Sequence, residues 1–532
     1  MTAAAYVCLL LACLWFAARR GLTYLQYFQQ DEYDGSRFLR WLASSRSIDI
    51  KLSLGLAVLA IVQMLPLAAI PAWTFPLLGA VAFCIAAWRE KDPRKHGKKK
   101  LVLTQRARRV LIVAAVLFTA ATVAAAFFTA PLWCWLLLVQ AIPFALVLAN
   151  LVLSPVEARI QLGFWNEAHQ KLAGLDPMVI GITGSFGKTS TKHILGHVLS
   201  SFAPTLITPG SVNTPMGVSR IVREQLAARH KFFVVEMGAY GRGSIARLCR
   251  LTPPRLGVIT AIGEAHYERY RSLEAVAEAK FELAEAVERR GGKMILNAEL
   301  LAFARAAQFT SGYRGNVVLC GTSADADVRI TELTQDGRGL SLKLTWQQQP
   351  YELRIPLFGL HHGRNAAVAF AAACTLGMPP DDVVLVMSRT PQIEHRLEVK
   401  PYRNGATLID DAYNSNPSGF EAALEVLQIL RPQGGRTILV TPGILELGSL
   451  HEQTHEMLGK RAANGLDVLL AVAPARIETF ITSFSTHAPK AVVVRCASFE
   501  AADQWLAANV QANDVVLMEN DLPDLYERKL RL

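Results

Sequence analysis

Two long runs without a single charge leave the N-terminal third of this chain little choice of environment. Leu52 to Trp88 gives 37 uncharged residues, and Val110 to Val156 gives 47 more. One bilayer-crossing helix needs about 20 apolar residues, so each run is read as a helical hairpin. The first is broken near Pro66, Pro71 and Pro76, the second at Pro131. Residues 1–18 are also uncharged and run into Arg19-Arg20. Five spans are therefore expected, at about 2–18, 52–70, 72–88, 110–130 and 132–153, which makes residues 1–154 a transmembrane region. No basic segment precedes the first stretch, which argues against a cleaved signal peptide and against a lipidation box at Leu10-Leu11-Ala12-Cys13.

Composition agrees with a membrane segment joined to a globular part. The 532 residues are 52% apolar and 19% charged, whereas soluble domains sit near a quarter charged. Disordered, collagen-like and small disulfide-scaffold classes are excluded. The net charge of +11 is concentrated: residues 89–109 hold ten Lys/Arg against Glu90 and Asp92. The loops at 19–51 and 89–109 are basic and the turns near Pro71 and Pro131 carry no charge, so the basic loops are expected to face the cytoplasm. The N-terminus then lies outside and everything beyond residue 154 inside. Lys98-Lys99-Lys100, Arg106, Arg108 and Arg109 suit anionic membrane lipids, at roughly 1 kcal/mol each. Aromatic residues do not interleave with this charge, so no nucleic acid partner is expected. The eight cysteines form no CxxC pair and read as reduced.

Residues 155–174 read as an amphipathic connector, after which short β-type runs alternate with helical patterns, an α/β signature. Met178-Val179-Ile180 is a strand candidate running into GITGSFGKTSTK at 181–192, followed by a helical pattern. Strand, glycine-rich turn, Lys-Thr and helix together make a phosphate cradle, in which backbone N–H groups converge on oxygens at a helix N-terminus. Lys188 is placed to reach the β- and γ-phosphates of ATP and Thr189 to ligate Mg²⁺. Gly184, Ser185, Gly187 and Ser190 complete the expected nucleotide contacts. The competing reading is a tight strand–helix connection. The common P-loop pattern asks for glycine at 182, which is Ile182 here, so the spacing is GxxGxxGKT.

That spacing resembles the ATP loop of the Mur ligase family, the amide ligases of peptidoglycan assembly. Further motifs agree in order: Ser211-Val212-Asn213-Thr214-Pro215, Val234-Val235-Glu236-Met237-Gly238, Gly263-Glu264-Ala265-His266 with Glu278-Ala279-Lys280, Gly359 to Ala366, Glu394 to Glu398, and Asp410 to Pro417. The branch that adds D-alanyl-D-alanine is the most similar, over roughly residues 165–520. The resemblance implies an ATP-binding central domain at 175–390 and a Rossmann-like C-terminal domain at 391–532. It implies an ADP-forming ligase that turns a carboxylate into an acyl phosphate for capture by an amine. Glu236 and His266 become magnesium ligands with Thr189, and Lys280 a carbamylated lysine serving the same metal site. Asn365 would read adenine, Arg396 phosphate, and Asp411 and Tyr413 the ribose; Asn213, Thr214, Asn414 and Asn416 fall on the substrate side. Helix capping and turn formation are the alternatives for Asn365 and Asp411. His451 and His455, four apart, read as one face of a helix rather than a zinc pair.

Two departures bear on substrates. Membrane spans stand where the family carries a UDP-sugar domain, and Met518-Glu519-Asn520-Asp521 stands where the branch usually carries Lys-Gly-Ser. The expectation is a multi-pass protein of the bacterial inner membrane acting on a cell-envelope or lipid-linked carboxylate, with an amino acid or peptide as amine donor and envelope-synthesis proteins as partners. The alternatives are a polymer-forming ligase of the poly-γ-glutamate synthetase type and a non-catalytic nucleotide-binding scaffold.

Overall fold

The computed structural model describes residues 1–44, 49–65, 70–95, 100–239, 241–263, 272–413, 415–445 and 447–520. The chain divides into two compact units, one of residues 1–161 and one of residues 162–521, and passes between them inside a single helix.

The N-terminal unit is helical throughout: α1 (Thr2–Gln30), α2 (Gly35–Ser44), α3 (Lys51–Met64), α4 (Thr74–Arg89), α5 (Gln105–Phe127) and α6 (Leu132–Leu175). Among the described residues, α1, α5 and α6 are long and apolar enough to cross a membrane. The other two expected spans are shorter than the uncharged run suggested. The 14 residues of α3 and 16 of α4 reach about 21 and 24 Å, against a hydrocarbon core of about 30 Å. α3 stops at Met64 because Leu65 precedes a proline and takes the extended conformation that this position favours (φ −76°, ψ 146°). The first span runs on through Arg19-Arg20 to Gln30, and the connector at 155–174 continues the last span without a break.

This unit packs Leu9, Phe16, Leu56, Phe83 and Trp135 inside while leaving Leu11, Val58, Ile61, Ile85, Val116 and Leu148 exposed. Ion pairs tie its helices together. The Arg20 guanidinium, on α1, pairs with Asp49 (2.8 Å) just before α3 and with Glu90 (3.0 Å) just after α4. Asp49 also accepts the Leu52 N–H (3.0 Å), and Thr23 donates to Glu90 (2.7 Å). Arg109 and Glu157 join α5 to α6 in the same manner (2.6 and 3.0 Å).

The second unit contains two sheets with helices on both faces. The larger has strand order β2-β3-β1-β4-β5-β6-β7-β8-β9. Its parallel part comprises β1 (Met178–Thr183), β2 (Thr205–Ile207), β3 (Phe232–Glu236), β4 (Leu256–Ile259), β5 (Lys293–Asn297) and β6 (Val317–Gly321). β7 (Val328–Asp336), β8 (Gly339–Trp346) and β9 (Gln349–Ile355) extend it as an antiparallel meander. Strands covered on both sides read as continuous apolar runs, and β1 and β3 do so. One face is covered by α7 (Lys188–Phe202), through Ile194, Leu195, Val198 and Leu199. The other is covered by α8 (Pro215–Glu224), α9 (Ser244–Leu251) and α10 (Leu273–Glu288), through Ile221, Leu248 and Phe281. α11 (Ala304–Gly312) follows β5, and α12 (Leu360–Thr375) packs beside α7 with an alanine-rich face.

After α13 (Pro380–Met387) the smaller sheet has order β10-β11-β15-β12-β13-β14. β10 (Glu398–Pro401) is antiparallel to β11 (Thr407–Asp411), and the remaining pairs are parallel. Between them run α14 (Pro417–Ile429), β12 (Thr437–Thr441), α15 (His451–Ala462), β13 (Val468–Val472), α16 (Glu478–His487), β14 (Val492–Cys496), α17 (Phe499–Asn509) and β15 (Val515–Glu519). All eight cysteines are free thiols, as expected. His455 is buried, accepts the Ile444 N–H (3.1 Å) and bonds the His451 carbonyl (2.8 Å), so the pair belongs to the helix packing.

Candidate active site

β1 is the third strand of the large sheet, between β3 and β4, and residues 184–187 carry the chain from its end into α7. Gly184 (φ 155°) and Gly187 (φ 81°) hold a backbone that side chains rarely adopt. A Cβ on Gly184 would collide with the Thr260 hydroxyl, and one on Gly187 with the Asn365 amide. The loop is therefore pressed against its neighbours and opens the first turn of α7 toward solvent, where its free N–H groups attract anions. Ser185 pins the loop from the side, donating to the Gly263 carbonyl and accepting its N–H (3.0 Å each). Lys188 curls back over the loop to the carbonyls of Gly184 (2.7 Å) and Ser185 (3.2 Å), and burial lowers its pKa.

Glu236 lies one strand away at the same level, because Ile182 on β1 pairs with Glu236 on β3. Its carboxylate is 1% exposed and fully engaged. Oε2 accepts from the Thr189 hydroxyl (2.9 Å) and the Lys192 ammonium (3.2 Å), and Oε1 from the Asn213 amide (3.0 Å). Lys192 is wholly buried, and burial lowers its pKa despite the carboxylate. A buried carboxylate beside a threonine hydroxyl offers the hard oxygen donors that Mg²⁺ prefers, so this pair fits the metal expected there.

A cavity of about 330 Å³ opens in front of the loop. One wall holds Ser185, Gly187, Lys188, Thr189, Ser190, Asn213 and Glu236; the other holds Arg396, Asp411, Tyr413 and Asn416. The Arg396 guanidinium lies 4.6 Å from the centre of the Tyr413 ring. Asp411 ends β11 and Glu519 ends the adjacent β15, paired in register, so their side chains leave the same face of the sheet. Both carboxyls are buried. Asp411 Oδ1 accepts the Leu397 N–H (3.3 Å) and Glu519 Oε1 the Ser415 hydroxyl. Burial raises the pKa of both.

Asn365, Thr214 and Lys280 are expected site residues that lie off the cavity wall. Asn365 packs on Gly187 beneath the loop. Thr214 caps α8 by accepting the Gly217 N–H (3.3 Å). Asn416 does both jobs, capping α14 through the Gly419 N–H (3.0 Å) while lining the cavity. Lys280 is buried on α10, where burial and the nearby Lys188 charge drive its pKa well down. His266 and Asn414 lie outside the described residues.

Several neighbours carried no assigned role in the sequence. Lys192 follows Lys188 by four, which puts both on one face of α7, a signal available from spacing. His362 Nε2 meets the Ser190 hydroxyl (3.1 Å), and Ile444, Leu445 and Leu447 form the apolar end of the cavity. Glu519 gave no signal beyond its acidity. His395, Glu398 and Asp410 cluster nearby, but the Lys400 ammonium stands 2.8 Å from each of the two carboxylates and fills the place a cation would take.

The chain is similar to known proteins. Residues 182–373 match the Mur ligase middle domain, and residues 395–519 match the family described as Mur ligase, glutamate ligase domain. The UDP-N-acetylmuramoyl-tripeptide–D-alanyl-D-alanine ligase of Mycobacterium tuberculosis is 31% identical over 361 residues, covering 64% of this chain and 70% of that protein. The ligase of the same name from Bacillus subtilis is 31% identical over 288 residues, covering 54% and 61%. A crystal structure of MurF from Acinetobacter baumannii superposes with a TM-score of 0.60 at 27% identity, covering 70% of this chain and 79% of that one. MurF from Thermotoga maritima in complex with ADP shares the fold, with a TM-score of 0.58 at 23% identity over 70% and 82%.

Proposed function

Because the chain belongs to the Mur ligase family of ATP-dependent, ADP-forming amide ligases, we propose that it is a membrane-anchored member. In this reading it joins an amine to a carboxylate of a peptidoglycan-type, lipid-linked precursor at the cytoplasmic face of the bacterial inner membrane. The two curated relatives are named for a muramoyl tripeptide and D-alanyl-D-alanine, which supports a peptide carboxylate as acceptor and a small peptide amine as donor.

The observation that carries the proposal is one cavity with two kinds of wall: Lys188, Thr189 and Glu236 on one side, Arg396, Asp411 and Tyr413 on the other. The loop N–H groups and the N-terminus of α7 hold the phosphates of ATP. Lys188 exchanges its loop carbonyls for phosphate oxygens, and Arg396 balances the charge of the transferring group from the opposite wall. Thr189 and Glu236 would hold Mg²⁺, with His266 and a carbamylated Lys280 as further ligands, and a bound ion would supply charge neutralisation for the phosphates. Asn213 fixes the Glu236 carboxylate, while Asn416 and Thr214 order the loops on the substrate side. The acceptor carboxylate takes the γ-phosphoryl group and becomes an acyl phosphate; the amine attacks its carbonyl carbon, and phosphate leaves carrying one former carboxylate oxygen.

The N-terminal unit supports the anchor. Large apolar side chains on α1 and α3 to α6, among them Leu11, Leu54, Val81, Val116 and Leu148, are exposed, and the start of α3 and the end of α4 meet Arg20 in one ion cluster, as suits the cytoplasmic boundary of a hairpin. The test uses the full chain in lipid nanodiscs with muramoyl-peptide acceptors, lipid-linked and UDP-linked, labelled with ¹⁸O in the terminal carboxylate. Label in the released phosphate, preferentially from the lipid-linked acceptor, is expected. Phosphate released without label would overturn the acyl-phosphate route, and preference for the UDP-linked acceptor would overturn the lipid assignment.

A further inference from the structure

We propose that Glu519 is a positioning residue for the nucleotide: it and Asp411 share a single proton across the ends of β15 and β11, and this proton keeps the Asp411 wall able to accept a polyanion. The inference rests on the function proposed above and concerns a residue to which no role has been assigned there.

The geometry demands the proton. Asp411 and Glu519 are 8% and 0% exposed, and register places them side by side on adjacent strands. The backbone N–H of Leu397 and the hydroxyl of Ser415 each satisfy one carboxyl oxygen. Glu519 Oε2 is buried and receives no donor from the rest of the described chain, while the Asp411 carboxyl stands beside it on the adjacent strand. Two carboxylates cannot bond to each other without a hydrogen between them, and two full charges so close in a buried site are strongly disfavoured. One proton satisfies Oε2 and leaves the pair with a single negative charge.

Among the described residues, the cation acting on that remaining charge is Arg396. The charged and titratable groups acting on the pair are Arg396, from the segment before β10, and Asp410, beside Asp411 on β11. Asp410 is itself held by His395 (3.0 Å) and Lys400 (2.8 Å). From the neighbouring β12 loop the contact is neutral, the Asn520 amide donating to the Gly443 carbonyl (2.7 Å). Arg396 thus balances a singly charged pair and is left to serve the phosphates through its outer face over Tyr413. If the proton leaves, the pair carries two charges, Arg396 is drawn inward, and a second negative charge stands on the wall that must meet ATP. Affinity for nucleotide should therefore fall as pH rises.

Glu519→Gln separates this role from a structural one, since the amide still donates to Asp411 but has no proton to lose. The full chain in detergent is titrated with a fluorescent ADP analogue from about pH 6 to about pH 9. Wild type is expected to lose affinity by at least about tenfold across this range, whereas Glu519→Gln stays flat and near the wild-type value at the acid end. Infrared difference spectra at neutral pH should also show a carboxylic-acid carbonyl band, shifted in D₂O, that Glu519→Gln removes. Parallel pH profiles in the two proteins, or an infrared band untouched by the substitution, would overturn the proposal. Failure of the nucleotide assignment looks different: Lys188→Ala would then bind the analogue as wild type does.

Discussion

Replacing Glu236 by glutamine tests whether the buried carboxylate is the electrostatic centre of the phosphate site. The carboxylate faces three donors, from Thr189, Lys192 and Asn213. A glutamine amide has one acceptor oxygen, so whichever way it turns, its NH₂ meets a donor. The larger cost is Lys192, which has no exposed surface and whose ammonium loses the carboxylate that supports it. Removing one partner from a buried ion pair costs about 3–5 kcal/mol. At a few degrees per kcal/mol for a unit of this size, Glu236→Gln should melt about 5–10 °C below wild type at neutral pH. The sign of the pH dependence follows from linkage. Burial already lowers the Lys192 pKa, and removing Glu236 lowers it further, whereas the unfolded chain keeps this proton up to about pH 10.4. Between those two values the unfolded state binds more protons, so the variant gains stability as pH rises and loses it as pH falls through the folded pKa. Scanning fluorimetry of the full chain in detergent at pH values near 7 and near 9.5 reads this directly. A variant melting within about 1 °C of wild type, or a deficit that does not shrink at the higher pH, would refute the reasoning.

Burial and the Lys188 charge drive the Lys280 pKa well down, which favours the neutral amine, the form that adds CO₂ to become a carbamate. Turnover should fall in CO₂-depleted buffer and recover with bicarbonate, while Lys280→Arg, whose guanidinium stays protonated, should be inactive under both conditions. In the N-terminal unit, Arg20→Ala leaves Asp49, 3% exposed, and Glu90 without their shared cation. We expect a loss of about 3–5 kcal/mol, read as increased proteolysis within residues 1–161, with Arg20→Lys recovering only part because it cannot span both carboxylates.

How much of this was legible in the sequence depends on how local each feature is. The loop at 184–187, its lysine and its threonine lie within one strand–turn–helix unit, so spacing alone sets them between β1 and α7. The uncharged run from Leu52 to Trp88 gives the length available but not the helix ends, because absence of charge does not say how far from each proline a helix stops. Two helices shorter than a bilayer resulted where two full spans were expected. Asn365 was matched to adenine by family motif, whereas its position beneath Gly187 is set by how α12 packs on α7, a contact between segments far apart in the sequence.

Glu519 is the extreme case. Its neighbours Met518 and Asn520 give no periodicity that marks it, and a strand-end acid is ordinarily a solvated one. What makes it unusual is register: β11 and β15 are separated by over a hundred residues, yet Asp411 and Glu519 fall opposite each other at the rim of the cavity. A shift of one residue would turn one carboxyl to the other face of the sheet and leave Asp411 facing Arg396 alone. The acidity that looked like a lost substrate contact in the sequence becomes, through pairing, a way to set how much charge the nucleotide meets. A substitution that reverses a side chain's charge need not reverse the charge of the site, because the buried pair it creates retains a proton.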